Sequence, residues 1–392
     1  MNSFEIFLAA QTSGAAGWIA ERASLSGVDG AGAAALYLAL KIVFGVAAIG
    51  VVMCFAALSV VVERKVAGFI QGRFGPNSTY IPYLMLVPVV GKTLRRLGLM
   101  QLVADGLKFL FKEEPLPGHV NKFWYTLAPI ISLSPVLICA CVVPFGVFEH
   151  GGKATALAAA NFDLSLLFIT VLGSLGVYGA VLAGWSSNSK FSYLGGIRAG
   201  AQMISYELVM ALSLAPVLMW IAPRVSSPFN LFEIGMSQSG MWNIFAQPLS
   251  ALLFLLALFA ETNRQPFDMA ESETDLVSGF HTEYGSFKFG LFFVGEYGHM
   301  VVGSSVFICV FLGAWSPLPG LSWPLEWGAW CGVLSFLTFI LKILAMIFFF
   351  VWVRWTLPRF RYDHVMNLSW GKLLPLALAN FAAYMVLACF IK

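Results

Sequence analysis

The sequence has few charged residues. Only 11% of its 392 residues are Asp, Glu, Lys or Arg, whereas soluble domains carry about 25%. Hydrophobic residues make up 59% of the chain and fall in blocks long enough to cross a bilayer as helices. This pattern excludes a single soluble core, which could not bury so much apolar surface, and a β-barrel, which would show short alternating runs.

Signatures of resident cofactors are also missing from the sequence. The six cysteines lie in apolar segments without a C-x-x-C pair or cluster spacing, and the five histidines are scattered. Neither a phosphate-binding loop nor a G-x-G-x-x-G after a strand is present. The sequence therefore predicts that this chain alone binds no redox cofactor, metal or nucleotide. Residues 1–40 lack a basic region at their start, so no cleaved signal peptide is expected.

The apolar blocks predict an all-α polytopic membrane helix bundle of about eight transmembrane helices. The predicted spans are 42–62, 124–148, 162–184, 203–222, 243–260, 287–313, 330–353 and 373–391. We expect residues 1–40 to form an extracytoplasmic segment and residues 41–392 to form a single transmembrane domain. No internal repeat typical of inverted-repeat transporters is visible.

Lys and Arg residues are unevenly divided between the two faces. Of the 23, 17 fall in the loops that follow predicted spans 1, 3, 5 and 7. Cytoplasmic loops carry such an excess of positive charge. The predicted cytoplasmic loops are about 63–122, 185–201, 261–287 and 354–372, and both termini are expected outside the cytoplasm.

Three ionisable residues lie deep inside predicted spans, namely Glu207, Glu296 and Lys342. The helical rise places them roughly 12 to 18 Å below the cytoplasmic face. A charge near the bilayer centre costs about 2.5 to 3.5 kcal/mol even on the lenient insertion scale. We interpret the three as one polar layer that carries protons or ions. The alternative is a Glu–Lys pair that only holds helices together.

The loop 261–288 is acidic on a face that is otherwise basic, with six carboxylates and two cations. Asp268, Glu271 and Asp275 are spaced i, i+3 and i+7, so on a helix they would share one stripe. In a dry setting such crowding raises pKa values toward neutrality and makes carboxylates exchangeable proton carriers. The alternative is a solvated charged face.

Residues 99–112 have the pattern of an amphipathic helix in the first cytoplasmic loop. Leucine, valine and phenylalanine side chains fall on one side, and Asp105, Lys108 and Lys112 fall on the other. This favours a helix at the membrane interface. A helix packed on a partner subunit has the same pattern, and both interpretations stay open.

Five segments together resemble the signature loops of one family. They are ERKVAGFIQGRFGPN (63–77), GWSSNSKFSYLGGIRAGAQMISYE (184–207), AETNRQPFDMAESETDLVSGFHTEY (260–284), LFFVGEY (291–297) and WVRWTLPRFRYD (352–363). The family is the H-type membrane subunit of proton-pumping NADH:quinone oxidoreductase, or respiratory complex I, the homologue of mitochondrial subunit 1. The resemblance runs from about residue 42 to the C-terminus and keeps the order and spacing of the segments.

The resemblance implies a role within a larger enzyme of the bacterial cytoplasmic (inner) membrane. A subunit of this family docks the peripheral arm, whose subunits carry flavin and iron–sulfur clusters. It forms the tunnel through which the substrate quinone enters from the bilayer, and quinone is reduced on partner subunits. A file of carboxylates links that reaction to proton translocation in antiporter-like subunits. Small neighbouring membrane subunits are further implied partners.

The resemblance also assigns residues to these roles. The quinone tunnel and docking surface are matched by Arg64, Arg73, Asp105, Lys108, Arg198, Arg264, Arg354, Arg359 and Arg361. The proton path is matched by Glu207, Asp268, Glu271, Glu273, Asp275, Glu283, Glu296 and Lys342. Asp275 stands where the family more often has Glu, a change that keeps the charge.

One departure from the family pattern is an insertion of about fifteen residues around 78–98. We expect it to lie on the membrane surface or on a partner subunit, close to the tunnel mouth. Two other functions remain open at this point. The nearer alternative is the homologous membrane anchor of a membrane-bound hydrogenase or ferredoxin-linked complex. The more distant one is a free-standing ion transporter.

Overall fold

The computed structural model describes residues 30–79, 88–150, 153–324 and 329–390. In chain order the helices are α1 (Gly30–Ile70), α2 (Pro88–Leu97), α3 (Leu99–Phe111), α4 (Lys122–Ala140), α5 (Ser165–Ser186), α6 (Lys190–Ile221), α7 (Leu231–Ser237), α8 (Asn243–Ala246), α9 (Pro248–Glu261), α10 (Glu273–Leu276), α11 (Ser286–Phe311), α12 (Ala329–Thr356), α13 (Tyr362–Asn367) and α14 (Leu374–Phe390). Two short strands, β1 (Val147–His150) and β2 (Lys153–Ala156), form an antiparallel hairpin.

Seven of the described helical segments are long and apolar enough to cross a membrane. They are Leu38–Ile70, Lys122–Ala140, Ser165–Ser186, Lys190–Arg224, Ser286–Phe311, Trp330–Thr356 and Tyr362–Phe390. The last one joins α13 to α14 through a π-helical turn, Leu368–Leu373. The chain is therefore a polytopic helical membrane protein, as the composition predicts. Its orientation and the side on which its termini lie stay predictions.

The predicted span 243–260 does not form a full-length helix. It consists of α8 and α9, and α9 has 14 residues, or about 21 Å, against a hydrocarbon core of about 30 Å. Pro248 lacks an N–H and occupies the first turn of α9, so the helix starts afresh there. Asn263 has a φ of 48°, which ends it. Seven of the eight predicted spans therefore form helices of full length, and the helix in this segment is shorter.

Two other span boundaries differ from the predictions. The predicted span 124–148 ends at Ala140, and the hairpin that follows is tied to α12 by Ser335, whose hydroxyl accepts from Val147 N at 3.0 Å. The predicted span 203–222 is part of a longer helix, because α6 begins at Lys190. The first turns of α6 pack closely against the loop that contains Phe280, since a Cβ at Gly195 would lie 2.6 Å from the backbone nitrogen of Phe280.

The loop between α9 and α11 is packed inside the protein. Phe267 and Phe280 are each 2% exposed, and Met269 is fully buried. The Gln202 side chain on α6 donates to Phe267 O at 2.7 Å and replaces the hydrogen bonds that water would give. Irregular backbone is tolerated in a protein interior when its polar groups find hydrogen-bond partners in this way. Residues 268–272 are not helical, so the expected helical stripe of carboxylates is wrong, and the acidic side chains meet through the folding of the loop.

The predicted first cytoplasmic loop contains α2 and α3. Residues 80–87 of the insertion lie outside the described residues, and its remainder forms α2. Helix α3 contacts α1 and α11, and Ser286 at the start of α11 donates to Lys112 O at 2.6 Å. Leu107, Leu110 and Phe111 are exposed on α3, so the structure leaves apolar surface there uncovered. The location of α3 at the membrane interface stays a prediction.

Candidate functional site

Eight ionisable residues from four parts of the chain meet where the buried loop packs against α1, α11 and the end of α12. We call them the Arg264 cluster: Glu63, Arg264, Asp268, Glu271, His281, Glu296, Arg354 and Arg359. Five of the sequence-predicted residues in the buried loop and the last cytoplasmic loop are among them, together with Glu296 from within a span.

Arg264 is at the centre of the cluster, with 7% of its side chain exposed. Its Nη1 lies 3.4 Å from Glu63 Oε2, and its Nη2 lies 4.0 Å from Glu296 Oε2. The guanidinium stacks 4.0 Å from the ring centroid of Tyr297, whose hydroxyl donates to Glu63 at 2.6 Å. Arg354 binds the other oxygen of Glu63 at 2.5 Å. One carboxylate therefore links two arginines and one tyrosine.

Glu271, His281 and Glu296 form the acidic side of the cluster. The Nδ1 of His281 lies 3.9 Å from Glu271, and its Nε2 lies 3.9 Å from Glu296. The two carboxyls are also close enough to share a hydrogen bond with each other. These three side chains offer ligand atoms within 4.8 Å of one another. Because the two imidazole nitrogens face different carboxylates, the arrangement favours proton exchange over coordination of one metal ion.

Asp268 forms the third part of the cluster. Arg359 donates to Asp268 Oδ2 at 2.8 Å and to the Ser272 hydroxyl at 3.1 Å. The Asp268 side chain is 9% exposed. This pair joins the buried loop to the segment after α12, so it fixes the position of the carboxylates relative to that segment.

Burial changes the protonation of the groups in this loop. Burial, and then the negative charge of Glu271, raise the pKa of Asp268 to about 7, although Arg359 opposes the change. Burial and the neighbouring Glu296 raise the pKa of Glu271 well above its ordinary value. Burial lowers the pKa of His281. Near neutral pH Asp268 therefore gains and loses its proton readily, and burial beside Glu296 favours the protonated form of Glu271.

Several buried polar atoms of the Arg264 cluster have no hydrogen-bond partner among the described residues. They are Arg264 Nε and Nη2, Asp268 Oδ1, Glu271 Oε1, His281 Nε2, Glu296 Oε1 and Arg359 Nε. An unsatisfied buried polar group costs about 1 to 3 kcal/mol. Groups of this kind mark strain, a catalytic role, or a place where water or an ion binds.

Two small cavities continue from the cluster into the bundle. The outer cavity, of about 30 Å³, is lined by Glu296, Glu261, His299 and Asn263 among others. The inner cavity, of about 40 Å³, shares Glu261 and His299 and is otherwise mostly apolar. A polar cavity of this size holds one or two waters. Glu207 accepts a hydrogen bond from Ser174 and is close enough to interact electrostatically with Glu261.

Two surface clefts lie beside α3 and the end of α1. One, of about 370 Å³, is lined by Arg64, Asp105 and Lys108 together with Phe109 and Phe289. Arg64 and Asp105 form an ion pair at 2.6 Å within it. The structure thus brings together three of the residues that the resemblance places at the tunnel. The other cleft, of about 440 Å³, contains Arg73 near Trp355.

The remaining predicted residues lie elsewhere. Arg198 is 3.8 Å from Asp275, and Glu283 is 3.9 Å from His119. Arg361 is exposed and binds the neighbouring Asp363 at 3.0 Å. The side chain of Glu273 lies outside the described part of the structure.

Lys342 does not join the carboxylates. Its Nζ donates to the carbonyls of Leu312, Ala314 and Ser316 at 2.5, 2.9 and 2.7 Å, and it lies 4.4 Å from the ring centroid of Trp242. Leu312 caps α11, sixteen residues beyond Glu296, or about 24 Å along the helix. The expected single layer containing Glu296 and Lys342 is therefore not what the structure shows.

Sequence reasoning missed Glu63, His281 and Tyr297. Glu63 directly follows an apolar run at the end of the predicted first span, which is an informative position for a carboxylate. His281 lies in the acidic loop, where an imidazole can pair with carboxylates. The sequence carries no signal that Tyr297 would join Glu63.

Comparison with known proteins gives a consistent result. A family model described as NADH dehydrogenase matches residues 42–385. The H subunit of NADH-quinone oxidoreductase from Flavobacterium psychrophilum is 43% identical over 344 residues, which cover 87% of this chain and 94% of that protein. The H subunit numbered 2 of the same enzyme from Koribacter versatilis is 43% identical over 377 residues, covering 92% and 99%. NADH-quinone oxidoreductase subunit 8 of Rhodothermus marinus is 40% identical over 338 residues, covering 85% and 92%.

Proposed function

Because the chain belongs to the NADH dehydrogenase family, we propose that it is the membrane subunit of a bacterial complex I at the junction with the peripheral arm. It forms part of the quinone tunnel and couples quinone reduction to proton translocation through its buried carboxylates. Other complex I subunits are its partners, and they supply the flavin and the iron–sulfur clusters. The names of the relatives do not favour the hydrogenase anchor.

The observation that carries this proposal is the Arg264 cluster. Its carboxylates outnumber its arginines, with four against three, and His281 is the additional proton carrier. Charges this close together titrate as one unit, so a change near one member moves protons on the others. Quinone reduction on a partner subunit consumes protons beside this surface. The cluster can supply those protons. The resulting change in its charge then alters the electrostatic potential at Glu261 and Glu207.

The cleft at α3 supports the quinone part of the proposal. An isoprenoid tail needs an apolar slot that opens near the bilayer, and the exposed side chains of Leu107, Leu110 and Phe111 provide apolar surface beside the cleft. Arg64 and Asp105 hold α3 against α1, which keeps the opening in place. The insertion that ends in α2 lies next to this region in the chain.

A substitution in the assembled complex tests the coupling role. Glu296→Gln keeps the size of the side chain and removes the exchangeable proton, so we expect quinone reductase and proton pumping to fall together by at least tenfold. Both rates are measured in membrane vesicles and normalised to the amount of assembled complex. The matched control is Glu233→Gln. Glu233 accepts from Ser227 N at 2.8 Å on α7, away from the cluster, and its loss should leave both rates unchanged.

A photoreactive quinone with a long isoprenoid tail tests the tunnel in the same complex. We expect labelling of peptides from α3 and from the start of α11. Labelling confined to helices far from this cleft, such as α7, would contradict the quinone part of the proposal. Full coupled turnover in Glu296→Gln would contradict the proton part.

A further inference from the structure

His299 carries a partly buried imidazole that the proposed path leaves without a role. It lies on α11 one helical turn after Glu296, so the two side chains point to similar faces of the helix. It lines the outer cavity with Glu296 and the inner cavity with Glu261. It is therefore positioned between two carboxylates at the junction of two cavities.

The opposing helix is shaped to accommodate this imidazole. A Cβ at Gly176 of α5 would lie 2.9 Å from His299 Nε2, and a Cβ at Gly173 would lie 2.9 Å from Glu261 Oε1. The two glycines are one helical turn apart, so His299 and Glu261 lie next to each other against one face of α5.

An imidazole in this position can transfer a proton while the ring itself stays in place. One ring nitrogen accepts a proton while the other releases one. Glu261 and His299 are the carboxyl and imidazole groups of the inner cavity, whose walls are otherwise mostly apolar. Each cavity is large enough for a water that could bridge the remaining distance.

We propose that His299 carries protons between Glu296 and Glu261. The ring takes the proton that Glu296 releases through the outer cavity and gives a proton from its other nitrogen to Glu261. After the transfer the ring is neutral again, and Glu261 holds the proton that Glu296 has lost. The inference rests on the proposed proton path, to which it adds a member outside the carboxylates.

The test uses His299→Asn and His299→Ala in the assembled complex in membrane vesicles. Asparagine keeps a polar amide but cannot accept a proton, so we expect quinone reductase and pumping per assembled complex to fall at least tenfold. Alanine leaves space at the ring position, and added imidazole is expected to restore at least a third of the lost rate. His364→Asn is the matched control, because His364 is exposed on α13 outside the path.

A second pair of variants tests the position of the ring without altering its chemistry. Gly176→Ala forces the ring away from α5, and we expect a severalfold loss of both rates. Gly50→Ala is the control, because a Cβ at Gly50 of α1 meets nothing within 4 Å.

The outcomes separate this inference from the function on which it rests. Wild-type rates in His299→Asn, with large losses in Glu296→Gln, would overturn the role of His299 and keep the carboxylate path. Wild-type rates in both would overturn the path as well. A loss of rate in His299→Ala that imidazole does not restore at all would make His299 a packing residue, and this too would overturn the inference.

Discussion

Two groups of buried charge pack against α11, and they are built in different ways. At the C-terminal end of the helix, Lys342 uses its three donors on three carbonyls, and Trp242 covers it. Gln238 and Asn243 satisfy two further carbonyls of the same end, those of Cys309 and Val310. In the first half of the helix, the Arg264 cluster crowds four carboxylates around three arginines and leaves several polar atoms unpaired.

Lys342 is a charge that stabilises the fold, whereas the charges of the Arg264 cluster can change their protonation when their surroundings change. A lysine at a helix C-terminus with all donors satisfied has one arrangement of low free energy. A crowd of carboxylates with too few cations has several proton arrangements of similar free energy, and a small change nearby selects among them. Burial of charge inside a membrane protein is therefore not by itself a sign of proton transport, whereas an excess of carboxylates over cations is an informative one.

The largest effect is expected from Arg264→Ala. The change leaves Glu63 and Glu296 without their shared cation, and the loss of one partner from a buried ion pair costs about 3 to 5 kcal/mol. We expect the amount of assembled complex to fall sharply and turnover to be abolished. Arg264→Lys keeps the charge but not the planar stacking on Tyr297, so it should restore part of the assembly and little of the turnover. Normal assembly in Arg264→Ala would show that the cluster does not depend on its central cation.

The second-largest effect is expected from Glu271→Gln, which should change how the stability of the complex depends on pH. The pKa of Glu271 is raised in the folded protein, so its stabilising contribution is complete below its unfolded pKa of about 4.3 and is lost as the pH rises through the raised value. The amide remains neutral throughout. We expect the variant to gain about 1 to 3 kcal/mol over the wild type near pH 8 and to lose this advantage on acidification, while its turnover falls about tenfold.

The measurement for Glu271→Gln is the thermal dissociation midpoint of the purified complex between about pH 6.5 and pH 8. His281 contributes little in this range, because its pKa is lowered and its protonation affects stability mainly below about pH 6.5. Asp268, whose pKa is raised to about 7 in part by Glu271, titrates in the same range, and the loss of the Glu271 charge lowers that pKa and adds to the gain expected at pH 8. Glu233→Gln is the control, because Glu233 lies on α7 away from the cluster. A Glu271→Gln variant that is less stable than the wild type at pH 8 would contradict the assignment of a raised pKa.

Much of the fold and part of the site could be predicted from the sequence. Spans of about twenty apolar residues can be recognised from hydropathy alone. A carboxylate such as Glu296 inside a span indicates a function, because its burial costs free energy. The acidic loop was identified by its charge. The short helix α9 could not be predicted from hydropathy, because the apolar run 243–260 continues past Pro248 without a change in composition.

The partners of these residues depend on contacts that are distant in the sequence. Glu63 meets Arg264 across 201 positions, and Lys342 meets Leu312 through a loop in which Gly313 and Ala314 have positive φ values. Hydropathy and helical depth place a residue along the membrane normal but do not give the neighbours around it. For this reason helical depth alone grouped Lys342 with Glu296, whereas the structure separates them.

A smaller effect on turnover is expected from Lys342→Met. The change leaves the carbonyls of Leu312, Ala314 and Ser316 without donors, at a cost of about 1 to 3 kcal/mol. We expect a lower thermal midpoint for the complex and an unchanged turnover per assembled complex. Lys342→Arg, which keeps several donors, should recover part of the stability. A loss of pumping in Lys342→Met with stability intact would return Lys342 to the proton path.

The smallest expected effect is the coupling between the two groups. Lys342 on α12 contacts Leu312 at the end of α11, about 24 Å along that helix from Glu296, and the two charged residues share no contact among the described residues. Substitutions at sites more than about 7 to 10 Å apart usually add within about 0.5 kcal/mol. We therefore expect the stability losses of Lys342→Met and Glu296→Gln to add in the double variant, and its turnover to equal that of Glu296→Gln alone.

Glu271→Gln combined with Glu296→Gln is the contrasting pair, because these carboxyls share one proton-exchanging unit and their effects should not add. The contradicting result would be a coupling free energy between Lys342 and Glu296 that is well above about 0.5 kcal/mol and equal to that of the contrasting pair. It would mean that a change of charge at one end of α11 affects the groups at its other end.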